Sequence, residues 1–113
     1  MSEFETIEFE VNDGVAKLTF NRPKYRNAIS LQMREELPVV IKRVSTDPAI
    51  RTLIITGKGG SFCAGGDIKD MGSIGGSVDV GRNRMRATGT LVQAIASIDK
   101  PVIAAVDGPA YGA

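Results

Sequence analysis

Apolar and acidic residues alternate near the start of the chain. Ile7, Phe9 and Val11 are separated by Glu8 and Glu10, and the alternation resumes from Val15 to Phe20 after Asn12-Asp13-Gly14. A period of two on both sides of an Asp-Gly dipeptide predicts a β-hairpin with one buried face. Asn21-Arg22-Pro23 ends the second strand, because proline has no N–H for a ladder and pushes the residue before it toward extended backbone. A loop then runs to about Ser30, which is positioned to cap a helix. The apolar residues Met33, Leu37, Val40, Ile41 and Val44 repeat at helical spacing, and Pro38 among them predicts a kink.

Asp47-Pro48 breaks this pattern. Leu53-Ile54-Ile55, between Arg51 and Gly57, is a short apolar run of the kind buried on both faces of a parallel sheet. Gly57 to Gly66 is a glycine-rich loop, and Asp67 opens a short helical pattern through Ile68, Lys69, Asp70 and Met71. Gly72 to Ser77 is small and flexible in composition. Met85, Val92, Ile95 and Ala96 then repeat helically within a second long helix, from about Val80 to Ser97. Lys100-Pro101 introduces Val102 to Val106, a second buried strand, which ends in the turn Asp107 to Gly112.

The plan is two units of strand, glycine loop and helix, the second lacking its helix. A glycine turn after a parallel strand normally delivers the chain into the next helix, so residues 1–113 are expected to be the N-terminal part of a longer domain. With 113 residues, 42% of them apolar, one domain with an ordinary core is expected. Fourteen Lys and Arg against 13 Asp and Glu leave a net charge of +1, so no strong field draws the chain to nucleic acid or an anionic membrane. With no histidine and one cysteine, the chain cannot itself supply a Ser-His-Asp triad, a His-ligated metal, a zinc cluster or an internal disulfide. Met1 to Phe9 carries acids where a targeting peptide needs bases, and no apolar run approaches the roughly 18 residues of a membrane span. A cytoplasmic protein without nucleic-acid or membrane partners is expected.

Glycine is the more informative residue: there are 13, and most lie in the second half. A dinucleotide fingerprint in Gly57-Lys58-Gly59-Gly60-Ser61-Phe62 fails at Phe62, and a phosphate loop fails because Gly59 follows Lys58. In Phe62 to Lys69, small residues let backbone N–H groups approach a ligand. A helix N-terminus behind them adds partial positive charge, together a donor set for a developing oxyanion. Gly108 to Ala113 offers the same features. Two donors converging from two strand ends suit acyl-transfer or enolate chemistry, but two tight turns in a parallel α/β sheet have the same pattern. Asp67 reads as a helix N-cap or a catalytic acid, Asp107 as a turn residue or an acid, and Cys63 as a small buried hydrophobe or a nucleophile.

Three motifs in order narrow the choice. Asn21-Arg22-Pro23 with Asn27-Ala28-Ile29, Leu53 to Gly57 leading to Phe62-Cys63-Ala64-Gly65-Gly66-Asp67-Ile68-Lys69, and Lys100 to Ala110 together resemble the crotonase (enoyl-CoA hydratase/isomerase) superfamily. The resemblance implies an α/β, crotonase-like (ClpP/crotonase) spiral of β-β-α units with a perpendicular pair of sheets, incomplete in this chain. It implies an acyl-CoA thioester substrate, with coenzyme A as part of that substrate and no separate cofactor or metal. An enolate-like oxygen would sit between two backbone N–H groups, which by motif position are those of Ala64 and Ala113. The CoA adenine would lie near the backbone of Ala64, Gly65, Gly66, Asp67 and Ile68, and its phosphates near Lys24, Arg26 and Lys69, each of which also reads as a solvated surface base.

The two glutamates that hydratases of the family use as acid and base fall beyond Ala113, so the 113-residue chain alone is expected to be inactive. The expected reaction of the longer protein is hydration of a 2-enoyl-CoA in fatty acid metabolism. The alternatives are enoyl-CoA isomerisation, another reaction of the family, or a non-catalytic CoA-binding module. Homotrimers or hexamers, built largely through helices C-terminal to this segment, are the implied assembly. Tyr111 and Met71 to Gly76 are positioned to shape the acyl pocket.

Overall fold

The computed structural model describes residues 3–66 and 78–112. Strands β1 (Ile7–Asn12) and β2 (Val15–Phe20) pair antiparallel, with Ile7 opposite Phe20 and Asn12 opposite Val15. Asp13 and Gly14 between them have φ of 51° and 81°. Two consecutive left-handed residues give the tight turn whose twist matches the strands, which is why Asp-Gly stands there. The turn leans on the start of the next strand: Arg51 donates its N–H to Gly14 O (2.8 Å) and its Nη2 to Asp13 O (2.8 Å).

Helix α1 (Leu31–Thr46) begins where the sequence places it, with the Ser30 hydroxyl accepting the Met33 N–H at 3.1 Å. It continues on both sides of Pro38, which lies on its exposed face. Strand β3 (Thr52–Gly57) then runs parallel to β2, helix α2 (Val78–Ala96) follows, and β4 (Val102–Ala105) runs parallel to β3. The sheet order is β1-β2-β3-β4. Both crossovers step in the same direction across the sheet, so right-handed connections put both helices on one face, where α2 packs alongside α1.

That face holds the core. Ile7, Ala16, Leu18, Phe20, Leu53 and Ile55 of the sheet meet Met33, Leu37, Val40, Ile41 and Val44 of α1, with Ile50, Leu91 and Ile98 closing the ends. The opposite face carries Glu8, Glu10 and Lys17, all exposed. β3 therefore buries Leu53 and Ile55 but leaves Ile54 half-covered. β4 differs more from expectation: it is one of the two edge strands of the described sheet, Val102 is half-buried, and Ile103 to Ala105 are exposed, Ile103 by 52%. No described element lies over its outer face, which is why an apolar run that reads as buried is not.

Two polar clamps tie the ends of α1 to distant chain. Glu36 accepts hydrogen bonds from the Glu5 N–H (3.0 Å), the Thr6 N–H (2.9 Å), the Thr6 hydroxyl and Gln32 Nε2 (3.2 Å), fixing the approach to β1. Lys100 Nζ donates to Val44 O (2.6 Å) and Asp47 O (2.8 Å), placing a cation on the carbonyls that end the helix.

Leu53 is fully buried, so Leu53→Ala should cost about 2–5 kcal/mol, read as a lower urea midpoint with an unchanged slope. Burial raises the Glu36 pKa, but the hydrogen bonds from Glu5, Thr6 and Gln32 outweigh it and hold the carboxyl below its ordinary value. Its stabilisation is thus complete above the ordinary glutamate value and is lost as pH falls through the lowered folded one. Glu36→Gln should remove that component from a stability profile taken across the acid range.

Candidate functional site

Parallel pairing brings the C-terminal ends of β2, β3 and β4 to one edge, and the three segments leaving that edge lie side by side. Ile29 bridges Gly66 and Cys63 bridges Ala110, both in parallel sense. The backbone bonds are Ile29 N–H to Gly65 O (2.7 Å), Phe62 N–H to Pro109 O (2.9 Å) and Tyr111 N–H to Cys63 O (2.8 Å). The turn after β3 is therefore held on one side by the segment after β2 and on the other by the turn after β4.

Glycine makes this approach possible. A Cβ on Gly108 would stand 1.9 Å from Gly60 O, and one on Gly57 2.2 Å from Ser61 O. Gly65 and Gly112 have φ of +88° and +67°, and a Cβ on Gly112 would lie 3.2 Å from the Gly65 Cα. The two glycine turns thus meet backbone to backbone at Gly65 and Gly112.

The N–H groups along the first turn are not equivalent. Cys63 N–H is directed at Pro109 O (3.3 Å), and the Gly65 N–H lies next along the turn. Ala64, half-buried between them, gives its N–H to no backbone acceptor among the described residues. Burial pushes the Cys63 thiol up, and a Gly65 backbone hydrogen bond only partly offsets this. Burial and a raised pKa favour the reading of Cys63 as a small buried hydrophobe over that of a nucleophile. Beside it is an apolar cavity of about 320 Å³ between the sheet and α2, lined among others by Phe20, Phe62, Cys63, Leu91, Ile95, Tyr111 and Gly112. Phe20 and Phe62 meet edge to face there, with centroids 5.5 Å apart. A larger, open hollow of about 860 Å³ lies on the opposite sheet face, among Glu3, Glu8, Glu10, Lys17 and Lys58. It is lined by exposed charged side chains and reaches neither Ala64 nor Gly112.

Of the residues singled out from sequence, Ala64, Gly65 and Gly66 share the first turn, and Gly66 is exposed. Lys24 and Arg26 are exposed, on and just after a short 3-10 turn, Pro23–Tyr25. That turn rests on the glycine loop, since a Cβ on Gly59 would come 2.7 Å from Pro23 Cβ. Asp107 is exposed, and Tyr111, 63% exposed, stands at the cavity rim. Asp67, Ile68, Lys69, Met71 to Gly76 and Ala113 lie outside the described residues.

Sequence reasoning assigned no role to Asn27, which is fully buried with φ of 59°. Its Nδ2 donates to Lys58 O (3.0 Å) and Ser61 O (2.8 Å), and its Oδ1 accepts the Arg22 N–H (2.8 Å). The available signal was an asparagine in a strand-to-helix loop, a residue type that tolerates left-handed backbone and bonds main chain with a short amide.

Residues 10–113 match the protein family described as Enoyl-CoA hydratase/isomerase. The chain is 40% identical over 111 residues to the 1,2-epoxyphenylacetyl-CoA isomerase of Escherichia coli, covering 96% of this chain and 42% of that protein. It is 34% identical over 113 residues to a probable enoyl-CoA hydratase of Mycobacterium tuberculosis, 43% of whose length is covered. The solved structure of Pseudomonas aeruginosa AtuE superposes with a TM-score of 0.86 at 41% identity, over 92% of this chain and 41% of that one. The chain thus spans less than half the length of the curated relatives it matches. Over that part, the β-β-α unit implied by the resemblance is the one observed.

The contact between the turns can be tested by a pair of substitutions. Gly108→Ala must push Gly60 away and should destabilise by about 1–3 kcal/mol. Gly89→Ala, in α2 with nothing within 4 Å of the new methyl, should instead stabilise by up to about 1 kcal/mol. Thermal unfolding of the two variants should shift in opposite directions.

Proposed function

The chain belongs to the enoyl-CoA hydratase/isomerase family, and from that membership we propose that it is the part of an acyl-CoA enzyme that supplies the oxyanion-binding backbone. The observation that carries the proposal is the meeting of the Ala64–Gly65 and Tyr111–Gly112 backbones beside an apolar cavity. In this reading the thioester oxygen accepts the Ala64 N–H and the N–H of Ala113, the residue after Gly112. As water adds at the β-carbon, or as the α-carbon loses a proton, an electron pair moves onto that oxygen and negative charge develops there; reprotonation of carbon discharges it. A fixed backbone donor aimed at it is worth roughly 3 kcal/mol in comparable sites. The acyl chain occupies the cavity lined by Phe20, Phe62 and Tyr111.

In the same reading the backbone of Ala64, Gly65, Gly66, Asp67 and Ile68 binds the CoA adenine, and Lys24, Arg26 and Lys69 are the bases assigned to its phosphates. Support for this comes from the 3-10 turn carrying Lys24, which rests on the same glycine loop. Hydration of a 2-enoyl-CoA is the reaction we favour. Enoyl-CoA isomerisation is the second reading, because the family that the chain matches is described as hydratase/isomerase. Either reaction also needs side chains that transfer protons. A homotrimeric or hexameric assembly and a cytoplasmic location belong to the same proposal. The exposed apolar Ile103 and Val106 support assembly.

Binding decides whether the site exists. Crotonyl-CoA at about 100 times its dissociation constant should stabilise the chain by about 2.7 kcal/mol, read as a rise in melting temperature. ATP, which shares adenine and phosphates, should do much less. Equal shifts with both would reassign the site to phosphates, and no shift with crotonyl-CoA would remove it.

A further inference from the structure

Asn27 makes three hydrogen bonds from a fully buried amide, and all three go to main chain. The bond to Arg22 N–H fastens the side chain to its own loop, which is closed again by Asn27 N–H to Arg22 O (2.9 Å) and by Arg22 Nη1 to Ala28 O (2.5 Å). The bonds to Lys58 O and Ser61 O reach across to the glycine loop, 31 and 34 positions away. Only one orientation of the amide fits, because both distant partners are acceptors and the near one is a donor. Three residues beyond Ser61 stands Ala64, and Ile29 N–H to Gly65 O holds the chain just past it. The Asn27–Ile29 segment therefore grips the turn on both sides of Ala64 and leaves the Ala64 N–H uncommitted among the described residues.

We infer that Asn27 is a positioning residue, which sets the direction of the Ala64 N–H toward a thioester oxygen by holding the Lys58 and Ser61 carbonyls. The inference rests on the oxyanion reading above. A Cβ on Gly57 would meet Ser61 O at 2.2 Å and Phe62 O at 2.7 Å before Asn27 Nδ2 at 2.9 Å, so the glycine admits the folded-back loop and the amide together. Losing the two donated bonds frees Gly59-Gly60, whose φ values are both +86°, to relax and carry Ala64 with them.

The test compares crotonyl-CoA with its thioether analogue, which lacks the carbonyl, on the wild-type chain and on Asn27→Asp and Asn27→Gly. Both substitutions accept left-handed backbone and neither can donate as the amide does. The wild-type chain should prefer the thioester about tenfold and lower its carbonyl stretching frequency, as hydrogen bonding to that oxygen demands. In the variants the preference should fall at least fivefold and the carbonyl band should return toward its position in water, with thioether affinity held within twofold. Folded variants that keep the preference, or lose both ligands equally, would overturn the assignment of Asn27 alone. A wild-type chain with no preference would overturn the oxyanion reading as well. Amide relaxation on the wild-type chain needs no variant to fold: Ala64 should match the order parameter of β3, near 0.85, and mobility equal to Gly59-Gly60 would overturn the inference.

Discussion

Three strands of this sheet run in the same direction, and the site is a consequence of that. Parallel β2, β3 and β4 must release their chains at the same edge, so the loops after Phe20, Gly57 and Ala105 are neighbours although they are far apart in sequence. In open parallel sheets this edge is where ligands bind, because loops there can vary while the strands behind them cannot move. Here the loops form a second, narrow layer of main-chain hydrogen bonds from Ile29 through Gly65 and Cys63 to Pro109 and Tyr111. The layer needs glycine where backbones touch, and it needs amide or hydroxyl donors where carbonyls would otherwise be buried alone.

The main elements were legible because each has a local cause. Alternation about Asp13-Gly14 shows in the hairpin, Ser30 caps the first helix, and the apolar runs around Leu53 and Val102 become strands. The glycine turns could also be found, since backbone contact at Gly57 and Gly108 excludes any side chain. What the sequence did not reveal depends on pairs far apart. Nothing near Asn27 says that its amide will face Ser61, and nothing near Glu36 says that it will receive Thr6. A buried polar side chain has no period, so pattern reading passes over it.

Exposure was misjudged for a related reason. Val102 to Ala105 has the composition of an inner strand, but burial depends on what covers a strand as well as on its composition. Both helices lie on one face of the sheet, and β4 is an edge among the described strands. Ile103 and Val106 are apolar and exposed as a result. Part of the candidate site, Asp67 to Lys69 and Ala113, was equally legible as motif but falls outside the described residues.

Lys100 shows how the two halves of the chain are joined. Its ammonium group serves carbonyls at Val44 and Asp47, so helix α1 receives its C-terminal cap from the residue that leads into β4, 53 to 56 positions later. Pro101, the next residue, accepts the Leu53 N–H and starts the last parallel pairing. The first helix and the last strand are thus finished by the same few atoms. A hairpin and helix detached from the rest would have an uncapped end, and β4 detached would have no anchor. Order at the end of α1 and order at the start of β4 are therefore coupled through one ammonium group, so loosening either loosens the other.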